Sequence, residues 1–243
     1  MATEFARTGI AGFDAATGGG IPKGSRTILY GPPGTGKSVF AMQFLWTGLN
    51  AGERVAWNAA DRPFTQVRRY FHSFGWDLSA HEAEGRMIAL QSFPHFEGSE
   101  RAPAREASEP AEAEHFQAYD LGAMREATQR LSNAGVTRFV SGDHSQAIFS
   151  LQSAAQMVPI ADWLVHWVSQ STTTLLEIVT ATQMDVEGYK NWSLSLKAAH
   201  NILQFRIQGG RREIRILKME RADHPLEWVP IAIGARGIEM GIA

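Results

Sequence analysis

Apolar and polar positions along the chain change period repeatedly, and each change marks an expected element. Arg26 to Tyr30 and Arg54 to Ala59 are short apolar runs that predict buried strands, and Met87 to Leu90 is apolar enough for a third. Between them, Val39 to Leu49 and Thr65 to Phe74 carry apolar residues at helical spacing, the first ending near Gly52. A helix over Asp120 to Asn133 leads to a strand at Thr137 to Gly142. A helix over Ala154 to Gln170, punctuated by Pro159, then leads to a strand at Thr172 to Thr182. From Asn201 the spacing shortens. Asn201 to Ile207, Glu213 to Met219, Trp228 to Ile233 and Gly237 to Met240 read as strands joined by turns. The pattern predicts an α/β domain spanning residues 1–243, with a mainly parallel sheet flanked by helices and an antiparallel C-terminal extension.

Two stretches lack that periodicity. Thr8 to Ser25 is punctuated by Gly18, Gly19, Gly20, Pro22 and Gly24 and predicts a tight loop feeding the first strand. Glu97 to Glu114 is rich in Glu, Ala, Pro and Ser with little to bury, so it predicts a solvated, mobile acidic insertion. No internal repeat is visible.

The composition narrows the class. Hydrophobic residues make up 44% of the 243 and charged residues 20%, enough for a sizeable core. A net charge of −2 gives no general grip on nucleic acid or an anionic membrane. The absence of cysteine excludes disulfides and thiolate metal sites and fits a reducing, cytoplasmic setting. No run approaches the roughly 20 apolar residues of a membrane-spanning helix, and Met1 to Thr8 lacks the apolar core of a secretory signal.

One motif carries specific chemistry. Gly31-Pro32-Pro33-Gly34-Thr35-Gly36-Lys37-Ser38 fits G-x-x-x-x-G-K-[ST] in full, between an expected strand and an expected helix that begins near Val39. Such a loop turns backbone N–H groups toward the phosphates of ATP. Its lysine supplies a point charge, and Ser38 offers a hydroxyl to Mg²⁺. The usual companion is an acid at the end of a buried strand, holding Mg²⁺ through water. Asp143, at the end of the run Arg138 to Gly142, is the candidate, against the plainer reading of a turn-starting Asp. His144 and Ser145 beside it fit structural hydrogen bonding.

With these residues in place, a family resemblance emerges. Thr8-Gly9-Ile10, Gly12-Phe13-Asp14, Gly18-Gly19-Gly20-Ile21-Pro22 and Gly24, leading into the phosphate loop, resemble the KaiC-type branch of the RecA-like ATPases. So do Arg68 to Leu78, with its run "SFGWDL", Asp143 to Ala147, and the closing stretch Arg212 to Glu239. The resemblance implies a RecA-like core that assembles into a homo-oligomeric ring, usually a hexamer, with Mg-ATP between neighbouring subunits.

Two positions depart from that family. It carries two consecutive glutamates after the second strand, which prepare the attacking water; here they are Ala60 and Asp61. Ala60 cannot act as a base. Asp61 is one methylene short, and a misplacement of about 1 Å can cost on the order of a hundredfold in rate. Asp61 is equally readable as a loop carboxylate before Pro63. The family also has a Lys-x-Arg pair reaching a neighbour's γ-phosphate, where this chain has Lys218-Met219-Glu220. Lys218 fits and Glu220 reverses the charge. Arg221 would point to the opposite face in a regular strand, unless a bulge intervenes. Gln183 sits where such folds place a polar γ-phosphate sensor. Val186 to Leu194, with Tyr189, Lys190 and Trp192, matches the channel-facing loop in position.

The resulting expectation is a KaiC-like ATP-binding protein with slow hydrolysis that controls assembly or a protein partner. A competent ATPase with Asp61 as base, and a recombinase-like accessory protein gripping single-stranded nucleic acid, remain open beside it.

Overall fold

The computed structural model describes residues 3–92, 114–115, 121–143, 154–181 and 196–241. The expected Gln183 sensor, His144, Ser145 and the Val186 to Leu194 loop lie outside them. So does the acidic stretch, except for Glu114.

In chain order the elements are β1 (Phe5–Ala6), α1 (Ala11–Ala16), β2 (Ile21–Pro22), β3 (Arg26–Gly31), α2 (Lys37–Asn50), β4 (Arg54–Ala59), α3 (Phe64–Ser73), α4 (Ser79–Ala83) and β5 (Met87–Gln91). There follow β6 (Glu114–His115), α5 (Leu121–Asn133), β7 (Val136–Ser141), α6 (Ala154–Gln170), β8 (Thr174–Thr180), β9 (Asn201–Gln208), β10 (Arg211–Met219), β11 (Val229–Gly234) and β12 (Gly237–Met240). One ten-stranded sheet runs β12-β11-β10-β9-β3-β8-β7-β4-β5-β6. From β9 to β6 neighbouring strands are parallel, and β10, β11 and β12 are added antiparallel. The alternation of strands and helices dictates this outcome, because parallel neighbours need helical crossovers that cover both sheet faces. α6 stays continuous through Pro159. Among the described residues no helix is long and apolar enough to cross a membrane.

The core is split by the sheet. On one face α1, α2 and α3 bury Phe13, Phe40, Phe44, Val67 and Phe71 against Leu29, Trp57, Leu176 and Ile178. On the other, α5 and α6 bury Met124, Leu131, Leu164 and Trp167 against Ala56, Phe139 and Leu175.

The segment expected as a loop, Thr8 to Ser25, holds real structure. The Asp14 carboxylate accepts hydrogen bonds from the Thr8 N–H at 2.9 Å, the Thr8 hydroxyl at 2.6 Å and the Gly9 N–H at 3.2 Å, so it organises the N-terminal end of α1. Phe13 then inserts edge-on against Phe40, 5.1 Å between ring centres. The glycine punctuation hid this helix because six residues are too few to show a period. α4 escaped the pattern for the same reason. Glu114 pairs with Leu90 as part of β6, and so belongs to the sheet edge.

Two polar side chains fix the helix that follows the glycine loop. Gln43, inside α2, donates to the Gly9 carbonyl at 2.9 Å and accepts from the Ile238 N–H at 2.7 Å, tying the N-terminal segment and β12 to one helix. Buried Arg138 forks onto Glu53 through two 2.7 Å bonds and donates to the Phe44 carbonyl.

Candidate nucleotide site

The phosphate loop is shaped by backbone constraints. Gly31 ends β3 with φ +149°, and a side chain there would collide with the Phe205 carbonyl of β9. Gly36 takes φ +106° immediately before α2, a conformation that strongly favours glycine. No side chain caps α2, so its first N–H groups stay available to an anion. The Thr35 hydroxyl donates to the Pro32 carbonyl at 2.9 Å, and Arg212 of β10 donates to the Gly34 carbonyl at 2.8 Å. Lys37 folds back and donates to the carbonyls of Gly31 and Pro32 at 2.7 and 2.8 Å.

A pocket of about 290 Å³ opens over this loop. Pro33, Gly34, Thr35, Gly36, Lys37, Ser38 and Val39 form one wall. Asp61, Arg62 and Tyr70, from the β4–α3 turn and α3, form a second part of its lining, and Asp143 and Thr180 a third. Asp143 reaches this place because β7 ends one strand away from β8. Gly31 pairs with Thr180 on β8, whose hydroxyl and N–H both donate to the Asp143 carboxylate. The strand ladder thus carries the acid to the loop. Burial pushes the Lys37 ammonium down to about 8, with the Asp143 charge opposing that shift.

Asp61 lines the pocket as the sequence suggested, and it is already engaged. Arg62 donates to its Oδ2 through Nε at 2.7 Å and through Nη2. The same guanidinium lies 5.8 Å from the centre of the Tyr70 ring. Sequence reasoning passed over Arg62, and its proximity to Asp61 was the available signal. Trp57 was missed as well. Its indole N–H is buried with no hydrogen-bond partner, and its ring lines the pocket.

Lys218 lies outside this pocket. It donates to the Ala199 carbonyl at 2.7 Å and pairs with Glu220 at 2.8 Å, so Glu220 is held by a lysine of its own strand end rather than by an arginine. A bulge does occur, between Ile216 and Lys218. It precedes Lys218, and β10 has ended before Arg221, which turns left-handed at φ +65° and donates to the Lys23 carbonyl at 2.8 Å.

The oxygen donors suit one metal class. The Ser38 hydroxyl and Asp143 carboxylate on a single pocket are the hard ligands Mg²⁺ takes. Among the described residues no group of three or more metal-ligating side chains gathers. A Mg²⁺ held here would therefore draw its other ligands from phosphate and water.

Comparison with known proteins agrees with this geometry. The sequence model of the family "ATPase: KaiC" matches residues 6–242. The circadian clock protein KaiC3 of Synechocystis is 29% identical over 95% of this chain and 44% of its own length. A UPF0273 protein of Methanopyrus kandleri is 40% identical over 38% of this chain and 37% of its own length. The chain spans less than half the length of these curated relatives. The solved structure of a KaiC-like protein from Pyrococcus horikoshii superposes with a TM-score of 0.76 at 22% identity, covering 98% of this chain and 99% of that one. That likeness bears on the fold, which is the RecA-like α/β arrangement described above. By the extent of the family match, the chain belongs to the KaiC ATPase family.

Proposed function

We propose that this chain is a KaiC-like protein that binds Mg-ATP between neighbouring subunits of a homohexameric ring, hydrolyses it slowly, and uses bound nucleotide to control assembly or a protein partner. The observation that carries the reading is one pocket gathering the phosphate loop from Pro33 to Ser38 with Asp143 and Thr180, while both positions expected to drive hydrolysis are altered. Lys37, held on two carbonyls, would transfer to the β- and γ-phosphates, and the free N–H groups at the start of α2 would complete the cradle. Ser38 and Asp143 would hold Mg²⁺, directly or through water. Bound there, the metal neutralises charge on the phosphate oxygens.

Slow turnover follows from the residues at the expected catalytic positions. Ala60 offers no base, and Asp61 is one methylene shorter than the expected glutamate. Glu220, where the resemblance expects a cation, pairs with Lys218. A cationic finger can be worth about three to five powers of ten in phosphoryl transfer. Lys218, with its side chain 38% exposed, is the candidate to reach a neighbour's nucleotide in the ring. The second reading, a competent ATPase with Asp61 as base, is favoured by the position of Asp61 in the pocket wall. Steady-state phosphate release at saturating Mg-ATP separates the two, since ordinary ATPase rates would support the second. Light scattering with and without a non-hydrolysable ATP analogue tests the ring. A strict monomer in both conditions would remove it and leave Lys218 a surface charge.

A further inference from the structure

The second part of the pocket lining holds a cation that neither the loop nor the expected neighbour accounts for. Arg62 follows Asp61 in the bend after β4 and precedes Pro63, from which α3 starts. Its side chain and that of Asp61 are 40% and 25% exposed. Both of its hydrogen bonds go to a single oxygen, Asp61 Oδ2, so the planar fork is not matched by a two-oxygen partner. An ion pair between sequence neighbours at this exposure contributes little and is easily exchanged. Arg62 nevertheless lines the same pocket as Lys37, Ser38 and Asp143, close enough for the Asp143 charge to act on it.

The charges on this wall explain why an anion would draw it away. Lys37 and Arg62 share the pocket lining with Asp61 and Asp143, two cations with two carboxylates. Binding of a triphosphate adds a cluster of negative oxygens on the Lys37 side. A guanidinium presents donors in a plane that fits two phosphate oxygens at once, which Asp61 Oδ2 alone does not use.

Resting on the ATP-binding reading, we infer that Arg62 is a γ-phosphate clamp supplied within the subunit, which exchanges Asp61 for the γ-phosphate and so selects ATP over ADP. In the empty pocket Asp61 stores the guanidinium. When a γ-phosphate is present, Arg62 moves across and Asp61 is released to face water. ADP carries no group at that point and leaves the pair closed. The cation thus comes from the same chain, at a site whose cross-subunit arginine position carries Glu220.

Calorimetric titration of the full chain with Mg²⁺ plus a non-hydrolysable ATP analogue, and separately with Mg-ADP, tests this. Arg62→Gln should lower the preference for the analogue over ADP at least fivefold, through the analogue alone, with ADP affinity held within twofold. Asp61→Asn should act oppositely and tighten the analogue, because it removes both the competing partner and a nearby negative charge. Melting temperatures of both variants should match the wild type, since neither side chain is core. An unchanged preference in Arg62→Gln, or an equal loss for both nucleotides, overturns the clamp and leaves ATP binding standing. A wild-type chain that binds neither nucleotide overturns the ATP-binding reading and the clamp with it.

Discussion

The two walls of the pocket are built by different means. The phosphate loop is held by its backbone conformation, with Gly31, Gly34 and Gly36 at positive φ and an uncapped helix start, and by the side chains of Lys37, Thr35 and Arg212 bonding to its carbonyls. The second wall is held by side chains, chiefly the Asp61–Arg62 pair in the bend after β4. Backbone geometry tolerates little substitution, whereas an ion pair between exposed side chains can be rewritten by one or two changes. On the proposed reading, the difference makes binding and turnover separable: the phosphate loop carries its full motif, while Ala60 and Asp61 stand where the family resemblance expects two glutamates.

The largest effect should come from breaking the first wall at its one essential side chain. Lys37→Ala is expected to weaken binding of both Mg-ATP and Mg-ADP by about a hundredfold while leaving the fold intact, because the lysine bonds loop carbonyls rather than packing in the core and would meet the phosphates on binding. Calorimetry decides it, and equal affinities would remove the nucleotide reading altogether. Turnover is tested in the opposite direction, by restoring the residues that the family resemblance expects after β4 and at the end of β10. Ala60→Glu combined with Glu220→Arg should raise steady-state phosphate release at least tenfold at saturating Mg-ATP. Each single change should do less, since the residues would act in one transition state. Glu220→Arg also frees Lys218 from its present partner. A double variant no faster than the wild type would mean that hydrolysis is limited elsewhere.

The contrast between the walls also decided what the sequence could reveal. The phosphate loop was legible because its residues obey fixed local rules of spacing, and Asp143 because a buried strand ends just before it. The long elements followed from periodicity, and β4 and β12 matched residue for residue. α1 and α4 were not legible, since six and five residues do not establish a helical period. β9 is antiparallel to β10, as its place in the C-terminal series predicts, but nothing local in Asn201 to Ile207 says that its other edge lies parallel beside β3. Arg62 and Arg212 were invisible for a deeper reason. Their partners are set by which way a bend or a strand face points, and only the assembled chain fixes that.

A smaller effect tests the loop wall through protons. The pKa of Lys37 is depressed in the empty pocket to about 8, so above that pH the folded chain holds fewer protons there than the unfolded chain. The stability cost of the buried ammonium is therefore present below about 8 and relieved as pH rises from there to 10.5. Bound phosphate favours the charged form and should restore the proton. Above pH 8, Mg-ATP binding should then take up as much as one proton, and affinity should fall several-fold between pH 7.5 and 9. Titration in two buffers of different ionisation enthalpy counts that proton directly. No uptake at pH 9 would mean that the lysine stays charged in the empty pocket.

The smallest expected effect probes a contact that crosses from the C-terminal extension to the loop. Arg212 lies on β10, in the antiparallel part of the sheet, and its Nε donates to the Gly34 carbonyl at 2.8 Å. Arg212 pairs across the ladder with Ile207 and Ile231, so the extension brings its charge to the loop's tip. The contact is exposed, which limits its worth to the lower end of about 0.5–1.5 kcal/mol for a hydrogen bond. Arg212→Ala should accordingly weaken Mg-ATP and Mg-ADP together by about two- to threefold, with the melting temperature nearly unchanged. Calorimetry on the isolated chain distinguishes three outcomes. A two- to threefold loss means that the side chain steadies the loop and nothing more. A loss of tenfold or greater would mean that the guanidinium leaves Gly34 for the phosphates. No loss would mean that the glycine conformations and the Thr35 and Lys37 bonds hold the loop without Arg212, so that the C-terminal extension adds nothing to the site.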